Sequence, residues 1–353
     1  MKKIFIKTYG CQSNIADSEQ LAGILSKKYK IVDSLEKADI IILNSCAVKL
    51  RTLNKQLDFI KNIPKNKKIF IGGCLPKIVN LRKTYPNISG FFDTNTILKV
   101  PELILEDYII ISNEKEHRIN LPRVRKTKDL AIINICQGCE GNCGYCAAKL
   151  SRGELKSYKI EDILKEFKQA LKEKCTKFYL TGQDTGCYGF DLKTNLPSLL
   201  KEILKIKGDY KIRIGMMNPN NILNFLDELI KIYKNEHIVK FLHIPIQSGS
   251  DKVLKEMNRF YKVKDFELIV KKFRKEIPEI KISTDIICGY PTETEQDFKK
   301  TLDLIEKVKP DVLNISKFSS MHNTRASKLK QLSSEIIKDR SVRLTKLFKS
   351  LKK

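Results

Sequence analysis

Residues 133–146 read Ile133-Asn134-Ile135-Cys136-Gln137-Gly138-Cys139-Glu140-Gly141-Asn142-Cys143-Gly144-Tyr145-Cys146, an apolar run that breaks into a glycine-rich loop. Cys139, Cys143 and Cys146 are spaced C-x3-C-x2-C, in a segment too tight and glycine-rich for regular helix or strand. Iron–sulfur clusters are held by thiolates, and a cubane has four irons to ligate. Three local thiolates therefore leave one iron open, and that is where chemistry would take place. Cys136 extends the pattern to C-x2-C-x3-C-x2-C and keeps a closed four-cysteine structural site as the alternative. Zinc sites of that kind separate their two pairs by roughly 15–20 residues, whereas only Glu140-Gly141-Asn142 intervenes here. Cys136 also ends the apolar run, where a strand would hold it back from the loop.

Downstream of this loop the pattern is regular. Strand signals at 130–135, 177–182, 211–217, 239–246, 281–289 and 311–318 alternate with helical patterns near 159–173, 195–206, 220–233, 263–276 and 294–308. Six β–α steps predict a partial (β/α)6 barrel, whose active site would sit at the C-terminal ends of the strands. The cysteine loop follows the first strand and belongs at that mouth. The other strand ends are polar: Gln183-Asp184-Thr185, Asn218-Pro219-Asn220, Gln247-Ser248-Gly249-Ser250 and Tyr290-Pro291-Thr292-Glu293. Each alone reads as turn and capping chemistry, which Ser250 and Asp251 would serve. Together they read as a polar ring around a ligand. His243, on the fourth strand, is expected to be a satisfied core histidine, and Cys175 and Cys288 to be packing residues.

Upstream, residues 1–107 alternate strand and helix at smaller scale. Strands are expected at 3–9, 38–45 and 67–73, with helices at 15–28, 48–62 and 75–84. The apolar run in Ala38–Ser45 is the kind buried on both faces of a parallel sheet. The expectation is an open, flavodoxin-like parallel α/β sheet. Cys11, Cys46 and Cys74 each follow one of its strands. Loops at the carboxyl ends of parallel strands share one edge, the edge where ligands bind, so these three thiols are expected to converge. Three small buried cysteines are the plainer alternative. Residues 108–129 turn polar and irregular around Pro122 and read as a linker.

The 353 residues include 67 Lys+Arg against 41 Asp+Glu, a formal charge of +26, and ten cysteines. The basic excess attracts polyanions, nucleic acid first. No signal-peptide core and no membrane-spanning window is present, so the expected location is cytoplasmic. Ten cysteines in a cytosolic chain argue for metal or redox chemistry rather than disulfides. Residues 323–353 carry ten Lys/Arg against two acids, and Ile337, Leu344, Leu347, Phe348 and Leu351 recur at helical spacing. An amphipathic basic helix is expected there, its apolar stripe packed and its basic face available to RNA phosphates.

Several blocks resemble one family. The stretches 9–19, 44–49 and 72–77, around Cys11, Cys46 and Cys74, resemble the N-terminal domain of methylthiotransferases. The cysteine loop with the following Ser151-Arg152-Gly153, the Gln183-Asp184 block and the stretches 213–219, 243–259 and 284–298 resemble the same family's radical S-adenosylmethionine (SAM) domain. The likeness spans nearly the whole chain. It is strongest to the archaeal and eukaryotic branch, which modifies threonylcarbamoyladenosine beside the tRNA anticodon.

The resemblance implies two 4Fe-4S clusters: one on Cys139, Cys143 and Cys146, chelating SAM through its open iron, and an auxiliary one on Cys11, Cys46 and Cys74. It implies that Gln183 and Asp184 lie at the methionine end of SAM, and Gln247, Ser248 and Arg259 along the rest. SAM would be cleaved to a 5′-deoxyadenosyl radical, and a methylthio group would be placed on C2 of the adenine. The implied partners are tRNA and an electron-donor protein, with no membrane. The implied domains are 1–107, the linker 108–129, the radical SAM barrel 130–322 and the tail 323–353. The family's C-terminal RNA-binding β-barrel would begin where this sequence ends, and its Arg-Pro-Gly-Thr segment is altered here to Met321-His322-Asn323-Thr324. The same chemistry on isopentenyladenosine in tRNA or on a ribosomal protein, and a non-catalytic iron–sulfur RNA-binding protein, are the alternatives.

Overall fold

A computed structural model describes residues 1–47, 50–79, 85 and 87–352. The chain forms two compact units: 1–139 with 147–176, and 140–146 with 177–353.

The first unit is built on a six-stranded, all-parallel sheet. Its strands are β1 (Lys3–Thr8), β2 (Lys30–Val32), β3 (Ile40–Ser45), β4 (Lys68–Gly73), β5 (Gly90–Phe92) and β6 (Ile109–Ile110), in spatial order β2-β1-β3-β4-β5-β6. The 2-1-3 start is the flavodoxin-like arrangement. Every residue of β3 is buried, as its unbroken apolar run predicts for a strand covered on both faces. Helices α1 (Gln12–Leu25), α2 (Leu50–Lys61) and α3 (Val100–Glu106) accompany the sheet. Ile4, Leu21, Leu25, Ile42, Phe70 and Leu103 lie in one core. Strands β2, β5 and β6 are too short to leave a periodic signal in sequence. Ile109–Ile110, read from sequence as the opening of the linker, pairs instead as the last strand. The helix expected at 75–84 falls partly outside the described residues. The same unit includes β7 (Leu130–Asn134), the antiparallel pair β8 (Cys136–Gln137) and β9 (Lys156–Ser157), α4 (Ala147–Arg152) and α5 (Ile160–Lys172).

The second unit continues the strand–helix alternation with β10 (Lys177–Thr181), β11 (Lys211–Ile214), β12 (Phe241–His243), β13 (Lys281–Cys288) and β14 (Val312–Lys317). Neighbours β10–β11, β12–β13 and β13–β14 pair in parallel. Backbone bonds from Val239 N to Ile212 O at 2.9 Å and from Met217 N to His243 O at 3.0 Å carry the array across from β11 to β12. Its helices are α6 (Leu196–Leu204), α7 (Pro219–Ile222), α8 (Leu226–Tyr233), α9 (Asp251–Glu256), α10 (Val263–Glu276), α11 (Glu295–Val308) and α12 (Ser334–Ser350). The helix expected at 220–233 is broken into α7, a 3-10 turn at Leu223–Phe225 and α8. The tail is helical only from Ser334; before it lies a 3-10 turn at Arg325–Lys328.

In this array one face of each strand packs on the helices. Phe178 meets the edge of Tyr210, whose hydroxyl donates to the carbonyls of Ile203 and Ile206 at the end of α6. Alternation along the strands then sends Tyr179, Arg213, Phe241, His243 and Asp285 to the opposite, inner face. These residues are all partly exposed, which is how an open barrel interior differs from its helix-covered side.

Candidate functional site

In the first unit the three predicted thiols stand after β1, β3 and β4. These strands are adjacent and parallel, so their C-terminal loops are neighbours. The convergence expected from sequence is therefore present. Asn14, buried in the first turn of α1, organises it. Its amide donates to Tyr9 O at 2.8 Å and Ser45 O at 2.9 Å, stapling the first two loops. Its Oδ1 lies 3.9 Å from both Cys11 Sγ and Cys74 Sγ. Cys46 comes in from the other side: a Cβ built on Gly10 would stand 3.1 Å from Cys46 Sγ and 2.8 Å from Asn14 Nδ2. With φ of +112°, position 10 demands glycine on both counts. The peptide of Cys46 is gripped at both ends by Gln56 of α2, which accepts from its N–H and donates to its carbonyl, each at 2.8 Å. Cys11 is exposed while Cys46 and Cys74 are buried. Burial pushes the Cys74 thiol up, opposed by the Arg152 guanidinium.

Arg152, at the end of α4, donates to Asn14 Oδ1 and Asp17 Oδ2, each at 2.7 Å, and is 3% exposed. Asn14, Asp17 and Arg152 stand within the blocks that carry the resemblance, which gives them no role, and Gln56 stands outside every such block. For Asn14 and Asp17 the available signal is a pair of polar residues a few positions after Cys11 in a helix of otherwise amphipathic pattern; Gln56 carries no such signal. The loop cysteine of this unit, Cys139, has its carbonyl taken by Lys149 Nζ at 2.6 Å and its N–H bonded to Gly153 O at 3.3 Å. Cys136 is buried in the β8–β9 pair, the strand position expected of it.

In the second unit the loop segment Glu140–Cys146 is pinned by backbone bonds. Gly144 N donates to Met257 O at 3.0 Å, Gly144 O accepts from Ala326 N at 2.8 Å, and Cys146 N bonds Cys143 O at 3.0 Å. Asn258 Nδ2 holds Asn142 O at 2.7 Å. Arg259 donates through Nη1 to Cys143 Sγ at 3.2 Å, through Nη2 to Pro245 O at 3.2 Å and through Nε to the Tyr261 hydroxyl at 2.9 Å. Arg259 is thus a direct neighbour of the loop sulfur. Burial alone would lower its pKa, but Tyr145, Tyr261 and Cys143 hold it well above the ordinary arginine value. Burial drives the Tyr261 hydroxyl up to about 12, so it stays protonated and donates to Ile246 O at 2.8 Å.

The remaining predicted residues divide by what they touch. Asp184 is buried, and burial raises its pKa against donors from the chain: Asn218 N at 3.1 Å and Gly186 N at 2.9 Å on Oδ1, Asn221 Nδ2 at 2.7 Å on Oδ2. It ties the ends of β10 and β11 together. Gln183 beside it is partly exposed. Gln247 has a left-handed φ of +72° and is held by backbone bonds to Asp285 O and Ile287 N. Ser248 is buried and accepts from Ser250 N at 3.2 Å. Ser250 does not cap α9 as expected; its hydroxyl donates to Asp297 Oδ1 at 2.7 Å. His243 differs from a core histidine as well: its side chain is 24% exposed and its Nε2 lies 3.0 Å from Asp285 Oδ2, while Asn314 donates to Asp285 Oδ1 at 2.6 Å. Cys175 and Cys288 are buried, and burial drives the Cys288 thiol up to about 12.

Residues 133–305 match the Radical SAM superfamily, and residues 3–91 match an uncharacterized protein family, UPF0004. A protein of Pyrococcus horikoshii named "Probable threonylcarbamoyladenosine tRNA methylthiotransferase" is 41% identical over 351 residues, covering 97% of this chain and 82% of that protein. The chain belongs to the threonylcarbamoyladenosine tRNA methylthiotransferase family. The human protein named threonylcarbamoyladenosine tRNA methylthiotransferase is 38% identical over 99% of this chain and 63% of its own length. Among solved structures, the radical SAM methyltransferase TsrM from Kitasatospora setae superposes with a TM-score of 0.65 at 12% identity, over 90% of this chain and 73% of its own. The cobalamin-dependent radical SAM enzyme OxsB gives 0.64 at 13% identity, over 99% and 56%. These two share the fold. The α/β architecture, with a parallel-sheet N-terminal domain and a radical SAM domain, is that of the family.

The donor sets suit the family's groups. The first unit offers three converging soft thiols, the ligands an iron–sulfur cluster takes, with the buried Arg152 beside them. The second offers two loop thiols, one of them against Arg259. Among the described residues no helix is long and apolar enough to cross a membrane.

Proposed function

We propose that this chain is a radical SAM enzyme that places a methylthio group on C2 of N6-threonylcarbamoyladenosine next to the tRNA anticodon, giving the 2-methylthio derivative. A radical SAM domain alone would serve many reactions. The observation that selects this one is the second set of three thiols, Cys11, Cys46 and Cys74, gathered on one sheet edge in a chain otherwise aligned end to end with the named relatives. We assign these three to the auxiliary 4Fe-4S cluster and Cys139, Cys143 and Cys146 to the SAM-binding one. Residues 1–107 then serve sulfur delivery, 130–322 SAM chemistry, and the basic tail 323–353 RNA contact.

When bound, the loop cluster supplies the single electron that cleaves SAM and the auxiliary cluster carries the sulfur to be transferred. The chain itself supplies orientation. Arg259 locks Cys143 to the turn after β12, so the loop sulfur and the end of the fourth barrel strand move as one piece. Asp184 fixes the β10 and β11 ends, and neighbouring Gln183 is assigned to the methionine end of SAM. Gln247 and Ser248 shape the turn that faces it. Asn14 and Gln56 keep the sulfur-delivering edge rigid. An electron-donor protein completes the cycle, and ten cysteines outside any disulfide fit a reducing cytoplasm.

The assignment is tested by replacing Cys11, Cys46 and Cys74 together with alanine in anaerobically reconstituted protein. Iron content should fall by about half, SAM cleavage under dithionite should persist, and methylthiolation should vanish. Equal loss of SAM cleavage and methylthiolation would refute the division of roles.

A further inference from the structure

Two guanidinium groups in the first unit share a single carboxylate. Arg118 Nη1 lies 3.1 Å from Asp17 Oδ1, and Arg152 Nη2 lies 2.7 Å from Asp17 Oδ2. The three side chains are 1–3% exposed. Besides Asp17, Arg118 bonds Gln137 Oε1 at 2.6 Å, and Arg152 bonds Asn14 Oδ1 at 2.7 Å and the Cys74 thiol. No second carboxylate comes within ion-pair distance of either group among the described residues. The triad therefore buries a net positive charge. The Glu116 carboxylate acts on Arg118 from beyond ion-pair distance, whereas Asp17 is the carboxylate on Arg152; a buried charge that is under-compensated costs several kcal/mol, which calls for an anion on the Arg152 side.

The anion's place is indicated by what adjoins the triad. Asn14 Oδ1, which accepts from Arg152, is the same atom that both Cys11 Sγ and Cys74 Sγ approach at 3.9 Å. Three thiolates and a cubane are net negative, more so when reduced, and charge close to a cluster sets its potential.

We propose that Arg152, backed through Asp17 by Arg118, is the built-in counter-charge of the auxiliary cluster: it positions the Cys11–Cys74 edge and holds the cluster's potential up. Arg152 is a positioning residue, since it acts through the sulfur ligands. The inference rests on the two-cluster reading above. It extends that reading by giving the Ser151-Arg152-Gly153 segment, which begins five residues after Cys146, a task at the other cluster.

The test is a redox titration followed by electron paramagnetic resonance on the full-length protein with both clusters reconstituted and SAM present. SAM alters only the signal of the cluster it binds, so the auxiliary signal is the SAM-insensitive one. Arg152→Met should shift that signal's midpoint to more negative potential, Arg152→Lys should return it toward the wild-type value, and Asp17→Asn, which removes the shared negative charge, should shift it to more positive potential. The loop-cluster midpoint should stay unchanged in all three. If Arg152→Met fails to load auxiliary iron while Arg152→Lys loads it, the counter-charge role stands. If neither loads, Asp17→Asn decides by the direction of its shift. An unchanged auxiliary midpoint in fully loaded Arg152→Met or in Asp17→Asn would overturn the proposal. A wild-type protein that never shows two clusters would instead overturn the functional reading beneath it.

Discussion

At the scale of single residues, the cysteines were legible from spacing while their supports were not. Thiols at fixed offsets announce a metal site; a buried Arg, Asn or Gln that holds them is indistinguishable in sequence from a surface polar residue. Arg259, which the resemblance places along SAM, carries in the second unit a support role that the sequence does not show, because its guanidinium bridges the Cys143 sulfur, the Pro245 carbonyl and Tyr261. Replacing it by Met should lower SAM cleavage by about 10- to 100-fold, the usual cost of losing an outer-shell partner. Near-normal cleavage in Arg259→Met would show that the contact is incidental. Lys115 gives a pH signature in the first unit. Its ammonium donates to the carbonyls of Glu154 and Gln137, and burial pushes its pKa from 10.5 down to about 8. Between those values the unfolded chain keeps a proton that the folded chain has lost, so this group makes stability rise with pH there and contributes no slope below about 8. The stability of wild type minus that of Lys115→Met, from urea unfolding of the apo protein, should climb from pH 8 to pH 10.5. A flat difference would contradict the assignment.

At the scale of elements, the long periodic segments were readable and the short ones were not. The unbroken apolar run of β3 and the amphipathic α5, α10 and α11 stand close to their expected limits. Strands of two or three residues such as β5 and β6 exist only because a neighbour offers them a hydrogen-bonding edge. The first half of α1 misled in a different way: Ser13, Asn14, Asp17 and Ser18 are buried because they serve a polar site, against the rule that polar residues face water. At the entry to that helix, Gly10→Ala would drive a Cβ into Asn14 and Cys46. The variant should lose the auxiliary cluster, about half of the iron, while SAM cleavage continues; full iron loading would refute the packing argument. The last helix makes a second case. Arg340 of α12 pairs with the buried Glu293 carboxylate at 2.7 Å and its carbonyl at 2.9 Å, and Arg343 pairs with Glu295 at 2.6 Å. Part of the helix's basic character thus anchors it, leaving Lys338, Lys346 and Lys349 exposed. Arg340→Ala strands a buried carboxylate and should cost about 3–5 kcal/mol of stability in denaturant unfolding, a loss that a surface arginine would not produce.

At the scale of the molecule, alternating strands and helices sufficed to read an α/β chain with a parallel-sheet half and a barrel half, and the resemblance of the motif blocks supplied the radical SAM reading. Where each half ends was less legible, because the chain passes from one compact unit to the other within the cysteine loop itself; composition does not change there. The charge of +26 is likewise a whole-molecule property. tRNA affinity should therefore weaken steeply with salt, on the order of 10³-fold between ~50 and ~200 mM, and a salt-insensitive complex would exclude phosphate contacts as its basis. The most direct measurement of the central claim is nucleoside mass spectrometry on tRNA bearing threonylcarbamoyladenosine, after incubation with the anaerobically reconstituted protein, SAM and dithionite. A methylthio adduct on that nucleoside, absent with Cys11→Ala and with Cys143→Ala, is the predicted result. Unmodified tRNA from protein shown to carry both clusters and to cleave SAM would contradict it.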